Sequence, residues 1–220
     1  MPVLTETEEY RRAREELQEA EIALRAARIR AAALRRSLPL DTRVEDYVFE
    51  EKPGEEVHLS ELVGAKGRSL IVYQFMYGEA QTDPCPMCSM WIDGLNGVAR
   101  HVAQRADLVV VGQAPIADLL AWGARRGWRD LRLLSSAPSS FKVDLGLQGE
   151  HGEQYPGLSV FTRAADGSLR HAYTRGPNLT DEGEGGMDQW CVVWNIFDLA
   201  PEGRGDWYPS LEYEGWTQAR

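Results

Sequence analysis

The sequence predicts an α/β fold: a mixed sheet flanked by helices, preceded by a long N-terminal helical arm. Three observations carry this reading. Apolar residues recur every three or four positions over residues 4–38. After Pro39, apolar strand-like runs alternate with helical patterns, the arrangement of a parallel core sheet with right-handed crossovers. A hairpin signal then adds antiparallel strands.

The arm is expected over residues 1–38, its helix over 4–38, with 39–220 forming the main domain and an irregular C-terminal tail. Its seam comprises Tyr10, Ala13, Leu17, Ala20, Leu24, Ala27, Ala31, Leu34 and Leu38. Thr5 and Glu8 have capping-box spacing. Acids gather in the first half and arginines in the second, which complements the helix dipole. Such a seam suits packing across the chain's own domain or formation of a homodimer through 4–38.

Beyond the arm, Tyr47–Phe49 reads as a short strand, Pro53–Glu56 as a turn and Leu59–Val63 as a helical turn. Ser69–Tyr77 is the strongest strand signal, a near-continuous apolar run typical of a buried central strand. A helix follows over 89–104, then strand Asp107–Val111. Pro115 is placed at the first position of a helix whose Ile116, Leu119, Leu120 and Gly123 face inward. Leu131–Leu134 is a third strand. Leu158–Phe161 and Leu169–Tyr173 flank Asp166-Gly167 as a hairpin. Met187, Trp190, Trp194 and Phe197 define a last helix. Residues 181–186 read as a loop, and the segment from Pro201 as irregular.

Composition narrows the function. The 220 residues carry 24 Lys and Arg against 34 Asp and Glu, a net charge of −10. An acidic chain lacks the basic face that nucleic-acid binding requires. The arm is nearly neutral, so the negative charge belongs to the main domain. No apolar run reaches the ~20 residues of a membrane span, and the charged first 30 residues contain no secretory apolar core. A cytoplasmic location is expected, with no membrane or nucleic-acid partner.

Two of the three cysteines lie in Cys85-Pro86-Met87-Cys88, after the strongest strand. With Cys85 at a helix N-cap, Pro86 takes the first helical position and Cys88 the third, one turn on and on the same face. Unpaired N–H groups and the dipole favour a thiolate at Cys85. The expected chemistry is attack by Cys85 on a protein or small-molecule disulfide, followed by resolution by Cys88. Two structural thiols, or half of a zinc site, are the competing readings. The scattered His58, His101, His151 and His171 offer no paired ligand motif.

This order of strand, C-x-x-C, helix, strand, helix and hairpin resembles the thioredoxin-like superfamily over about residues 45–200. More narrowly, the chain is similar to a bacterial family of predicted dithiol-disulfide oxidoreductases. The matching stretches are Leu70–Tyr77, Cys85–Gly94, Ala114-Pro115, Gly127-Trp128, Ser135-Ser136, Tyr155–Phe161 and Pro201–Arg204. The resemblance implies a thioredoxin-like mixed sheet, no organic cofactor or metal, and reducing equivalents from a cellular thiol reductant. It also implies that Pro156, in the cis form, faces the cysteine pair, with Tyr155 and Trp91 beside it in a substrate groove.

A second resemblance, to peroxiredoxins, rests on Leu59–Gly64 before the Ser69–Phe75 strand and on Thr82 three residues before Cys85. It departs at Gly78, where that motif has proline, and at Pro156, where that family has an arginine. Arg163 or Arg175 would have to substitute. Peroxide reduction is therefore the alternative enzymatic expectation, and non-enzymatic partner binding the other. Thioredoxin's buried acid has no counterpart in the strand, which leaves Asp93 as a candidate proton acceptor or a structural carboxylate. Cys191 is expected on an apolar helix face as an inert thiol.

Overall fold

The computed structural model describes residues 6–64, 67–177 and 185–213. The chain divides into two compact units, Met1–Pro39 and Leu40–Arg220. The first is one helix, α1 (Glu8–Arg36). Thr7 caps it, its hydroxyl accepting the Tyr10 N–H at 3.1 Å, so the cap lies two residues beyond the predicted Thr5, which is outside the described residues. Ser37 closes the other end, donating to the Leu34 carbonyl at 2.9 Å. No residue of α1 is buried. Acids in its first turn and arginines in its last complement the dipole.

The second unit is a seven-stranded sheet. Its strands are β1 (Val48–Lys52), β2 (Glu55–His58), β3 (Leu70–Gln74), β4 (Asp107–Gly112), β5 (Arg132–Ser135), β6 (Gly157–Arg163) and β7 (Leu169–Arg175), in the spatial order β2-β1-β5-β4-β3-β6-β7. β3, β4 and β5 are parallel. β6 runs antiparallel to β3, with Gly157 opposite Gln74. The predicted hairpin is β6–β7, and Gly167 in its turn has φ +82°, a conformation that favours glycine. The segment read as a turn at Pro53–Glu56 is tighter than expected. Glu55 and Glu56 already belong to β2, a second hairpin strand.

Side chains alternate between two cores. Leu70, Val72, Val109, Val111 and Leu134 face one side, where α2 (Leu59–Leu62) and α5 (Phe141–Asp144) pack. Phe141 anchors this side, with its ring edge-on to Phe49 at 4.9 Å between centroids. Tyr73, Phe75, Val110 and Leu133 face the other side, against α3 (Pro86–Val102), α4 (Ile116–Arg126) and α6 (Val192–Phe197). Gly123 lets α4 approach β5 closely, because a Cβ there would lie 2.4 Å from Leu133 Cδ1.

Four local expectations need correction. Pro115 is the N-cap of α4, not its first helical residue. Leu120, expected inward, is 36% exposed. The last predicted helix is broken: a 3-10 turn at Asp188–Trp190 precedes α6, and Cys191, at φ −83° and ψ 114°, is the α6 N-cap. Cys191 is nonetheless buried, packed with Cys88 and Trp194 in the same core. The Tyr155–Pro156 bond is trans, as are all peptide bonds among the described residues. Trans is the default preference of an X–Pro bond by about 0.5–1 kcal/mol. The predicted 181–186 loop lies mostly outside the described residues. No helix among the described residues is long and apolar enough to cross a membrane.

Candidate active site

β3 delivers the chain to the end of the parallel strands where their C-termini lie, and the backbone turns so that the Cys85 N–H donates to the Met76 carbonyl at 3.1 Å. Cys85 is the N-cap of α3, in extended conformation, and Pro86 begins the helix. The Cys85 sulfur accepts the Cys88 N–H at 3.4 Å, the sulfur counterpart of an oxygen cap. Cys85 is partly exposed, Cys88 is buried, and both are free thiols.

The two sulfurs have opposite electrostatics. Cys85 is drawn down to about 6, first by the hydrogen bond from the Cys88 thiol, then by the N–H groups of Cys88 and Met87 and the Tyr208 hydroxyl, against the opposing effect of burial. Cys88 is pushed well up, first by burial and then by the negative charge held at Cys85. At neutral pH one thiolate therefore resides on the outer sulfur, and the inner sulfur keeps its proton.

A cleft of about 630 Å³, within the usual range of small-ligand sites, opens over this pair. Cys85, Cys88, Tyr73, Trp91 and Pro156 line its floor, and Met187, Trp194, Trp207 and Tyr208 belong to its C-terminal wall. Trp91 stacks near Tyr73, with ring centroids 6.1 Å apart and planes 24° apart. Arg204 also borders the cleft. It is held by Asp188 and by Asp198, the latter at 2.8 and 2.7 Å, and lies over the Trp194 ring at 5.2 Å. Among the described residues, no three metal-binding side chains come together.

Of the residues read from sequence, Cys85, Cys88, Trp91 and Pro156 converge. Tyr155 does not line the cleft: its ring is 45% exposed, because the chain alternates sides at the start of β6. Asp93 is also directed elsewhere. Its carboxylate pairs with Arg126 and accepts from Trp128 Nε1 at 2.7 Å and from the Tyr213 hydroxyl at 2.7 Å. The helix turn between Cys88 and Asp93 rotates it toward α4, where Arg126, Trp128 and Tyr213 engage its carboxylate. Arg163 lies at the far end of β6, bonded to the Gly167 carbonyl at 2.9 Å, and Thr82 is exposed. Neither lines the cleft, and nor does Arg175.

Sequence reasoning missed Tyr208, Trp207 and Arg204, which lie in a segment without regular structure. It also missed Lys142. This lysine, on the four-residue α5, is 1% exposed, and its Nζ donates to the Phe75 carbonyl at 2.9 Å. Burial draws its pKa down to about 8, against the attraction of Cys88.

A family model described as "Bacterial protein of unknown function (DUF899)" matches residues 1–219. No curated protein matches the chain. Among solved structures, a cysteine-to-serine mutant of PrxQ from Xylella fastidiosa aligns with 10% identity and a TM-score of 0.51, over 74% of this chain and 96% of that one. A mutant of peroxiredoxin Q from Xanthomonas campestris aligns at 11% identity and TM-score 0.49, over 74% and 96%. Reduced Prx3 from Vibrio vulnificus, in complex with hydrogen peroxide, aligns at 14% and 0.48, over 66% and 90%. At 10% identity the likeness to the PrxQ structure is one of fold alone: the main domain is a thioredoxin-like mixed sheet flanked by helices.

Proposed function

The chain belongs to the DUF899 family of bacterial proteins, and we propose that it is a thiol–disulfide oxidoreductase that uses Cys85 as nucleophile and Cys88 as resolving thiol. The observation that carries this reading is the split between the sulfurs: Cys85 lowered to about 6 at the cleft, Cys88 raised and buried behind it. A thiolate is the attacking species in exchange, and a low pKa also makes Cys85 a good leaving group.

In the first step the Cys85 thiolate attacks one sulfur of a substrate disulfide. A Cys85–substrate disulfide forms, and the other substrate sulfur departs with the electron pair. In the second step Cys88 attacks the Cys85 sulfur, the Cys85–Cys88 bond forms, and the second substrate sulfur leaves as a thiol. A cellular thiol reductant returns the pair to its starting state. The step is internal to the two cysteines and the substrate, with no organic cofactor or metal in it.

Peroxide reduction is less well supported. It needs donors placed on both peroxide oxygens as the O–O bond breaks. Thr82 and Arg163 stand away from the cleft, and the guanidinium of Arg204 is already shared between two carboxylates.

Alkylation of the reduced protein against pH, together with turnover of a small aromatic disulfide, tests the reading. A Cys85 midpoint near 6, a stable mixed disulfide in Cys88→Ser and loss of turnover in Cys85→Ser are expected. A Cys85 thiol titrating near the free value of about 8.5, with no turnover, overturns the enzymatic reading in favour of a partner-binding protein.

A further inference from the structure

Resolution is a demanding task for Cys88. Its proton must leave in a buried setting, and the β3 strand supplies no carboxylate to help. Lys142 bears on this through a single peptide group. Its Nζ donates to the Phe75 carbonyl at 2.9 Å. The N–H of that same peptide unit belongs to Met76 and is directed at the Cys88 sulfur. In a trans peptide the C=O and N–H point in opposite directions. Lys142 and Cys88 therefore sit on opposite sides of one amide, and the two cores agree: Phe141, next to Lys142, packs on one face of the sheet, and Cys88 packs on the other.

We propose that Lys142 is a positioning residue for Cys88: its ammonium polarises the Phe75–Met76 peptide and so strengthens the N–H that faces the resolving sulfur. This rests on the oxidoreductase reading of the cysteine pair. Chains of hydrogen bonds strengthen one another inside a protein, most of all when one end is charged. A buried ammonium is costly to keep for one carbonyl bond, and a methionine would fill the same space without that cost. The downward pull on the lysine from burial is opposed by the negative charge that forms on Cys88, so the two groups favour each other's charged forms. The other groups bearing on Cys88 are Cys85 of α3, which raises it, and the Tyr73 hydroxyl of β3, which lowers it.

The step affected is resolution. Cys88 attacks the Cys85 sulfur of the mixed disulfide, the Cys85–Cys88 bond forms, and the Cys85–substrate bond breaks. The electron pair of that bond goes to the departing substrate sulfur, and the Cys88 proton passes to that sulfur or, where it leaves as an acidic aromatic thiolate, to solvent.

5,5′-Dithiobis(2-nitrobenzoic acid) separates the two steps, because each releases one coloured thiolate. In stopped flow, the first phase reports attack by Cys85 and the second reports resolution by Cys88. Lys142→Met is expected to leave the first phase unchanged and to slow the second by about tenfold, the scale of one charge-assisted hydrogen bond. Lys142→Arg, which keeps the charge, is expected to restore much of the second phase. Should Lys142→Met not fold, Lys142→Gln keeps an N–H for the Phe75 carbonyl without charge and is expected to show the same slow second phase. An unchanged second phase, or equal slowing of both phases, overturns the role of Lys142 while leaving the oxidoreductase reading intact. A wild-type protein that releases neither thiolate overturns both.

Discussion

The hydroxyl of Tyr208, on the irregular C-terminal segment, donates to the sulfur of Cys85 at the start of α3. This contact joins a stretch without regular structure to the outer sulfur of the candidate site. The same segment places Trp207 and Arg204 at the cleft. The pocket over the cysteines is thus shaped by residues remote from the motif in sequence.

Removing that donor should weaken the thiolate without unfolding the domain. Tyr208→Phe is expected to raise the Cys85 alkylation midpoint by roughly half a unit, since the tyrosine is largely exposed and its hydrogen bond is worth well under the ~1.4 kcal/mol of a full unit. The midpoint is read from iodoacetamide rates against pH. An unmoved midpoint would show that the hydroxyl does not stabilise the thiolate in solution.

The tail is held by Arg126. Its guanidinium donates to the Leu211 carbonyl at 2.9 Å and to the Tyr213 hydroxyl at 2.6 Å, pairs with Asp93, and lies 4.5 Å from the centre of the Tyr213 ring. Arg126 is almost fully buried. Arg126→Met should therefore cost about 2–4 kcal/mol in urea unfolding, because Asp93 loses its cation in a half-buried setting. It should also expose residues 201–213 to limited proteolysis and shift Cys85 in the same direction as Tyr208→Phe. Wild-type cleavage kinetics in this variant would remove the anchoring role.

The attack step has a defined pH dependence. Because Cys85 is lowered to about 6, the rate of disulfide attack should climb as pH rises through 6 and then level off well below the ordinary thiol range. Cys88, pushed up by burial, should stay unmodified in the folded protein over that range and react once the chain is unfolded. Mass mapping of alkylated peptides at pH 7 distinguishes the two sites, and equal labelling would contradict the asymmetry.

Lys142 makes stability depend on pH in a direction that can be worked out. Its folded pKa, about 8, lies below its ordinary value of 10.5. Between those values the unfolded chain binds more protons than the folded one, so this lysine's contribution to stability rises with pH. Below about 8 the charged form is buried at a cost. Relative to Lys142→Met, the wild type should therefore gain up to about 3 kcal/mol between pH 8 and 10.5. Urea midpoints of both proteins across that range check the sign, and a constant difference would place the lysine's titration elsewhere.

Much of the frame was legible because it follows from local rules. The apolar run 69–77 contains a buried central strand, Leu70–Gln74, for the reason any such run does: its two faces both meet core. Pro86 directly after a cysteine marks a helix start, since proline tolerates that position and few others in a helix. Cys191 is buried as its apolar neighbours imply, but its place within a helix, like the inward placement of Leu120, carries the same principle too far. The 3.6-residue period runs on through 187–197, but the backbone breaks at Cys191, and around α4 the inward stripe is narrower than the apolar pattern.

By itself, the sequence determined that two cysteines stand one helical turn apart at a strand-to-helix junction in an α/β domain, because spacing, capping and periodicity are properties of neighbouring residues. Tertiary structure alone decided what surrounds them. It turned Asp93 toward Arg126, left Tyr155 outside the cleft, brought Tyr208 to Cys85, and set Lys142 against the peptide that faces Cys88. None of these has a sequence period, because each joins elements whose separation along the chain is unrelated to their distance in space. The electric field at a sulfur is summed over distance in space.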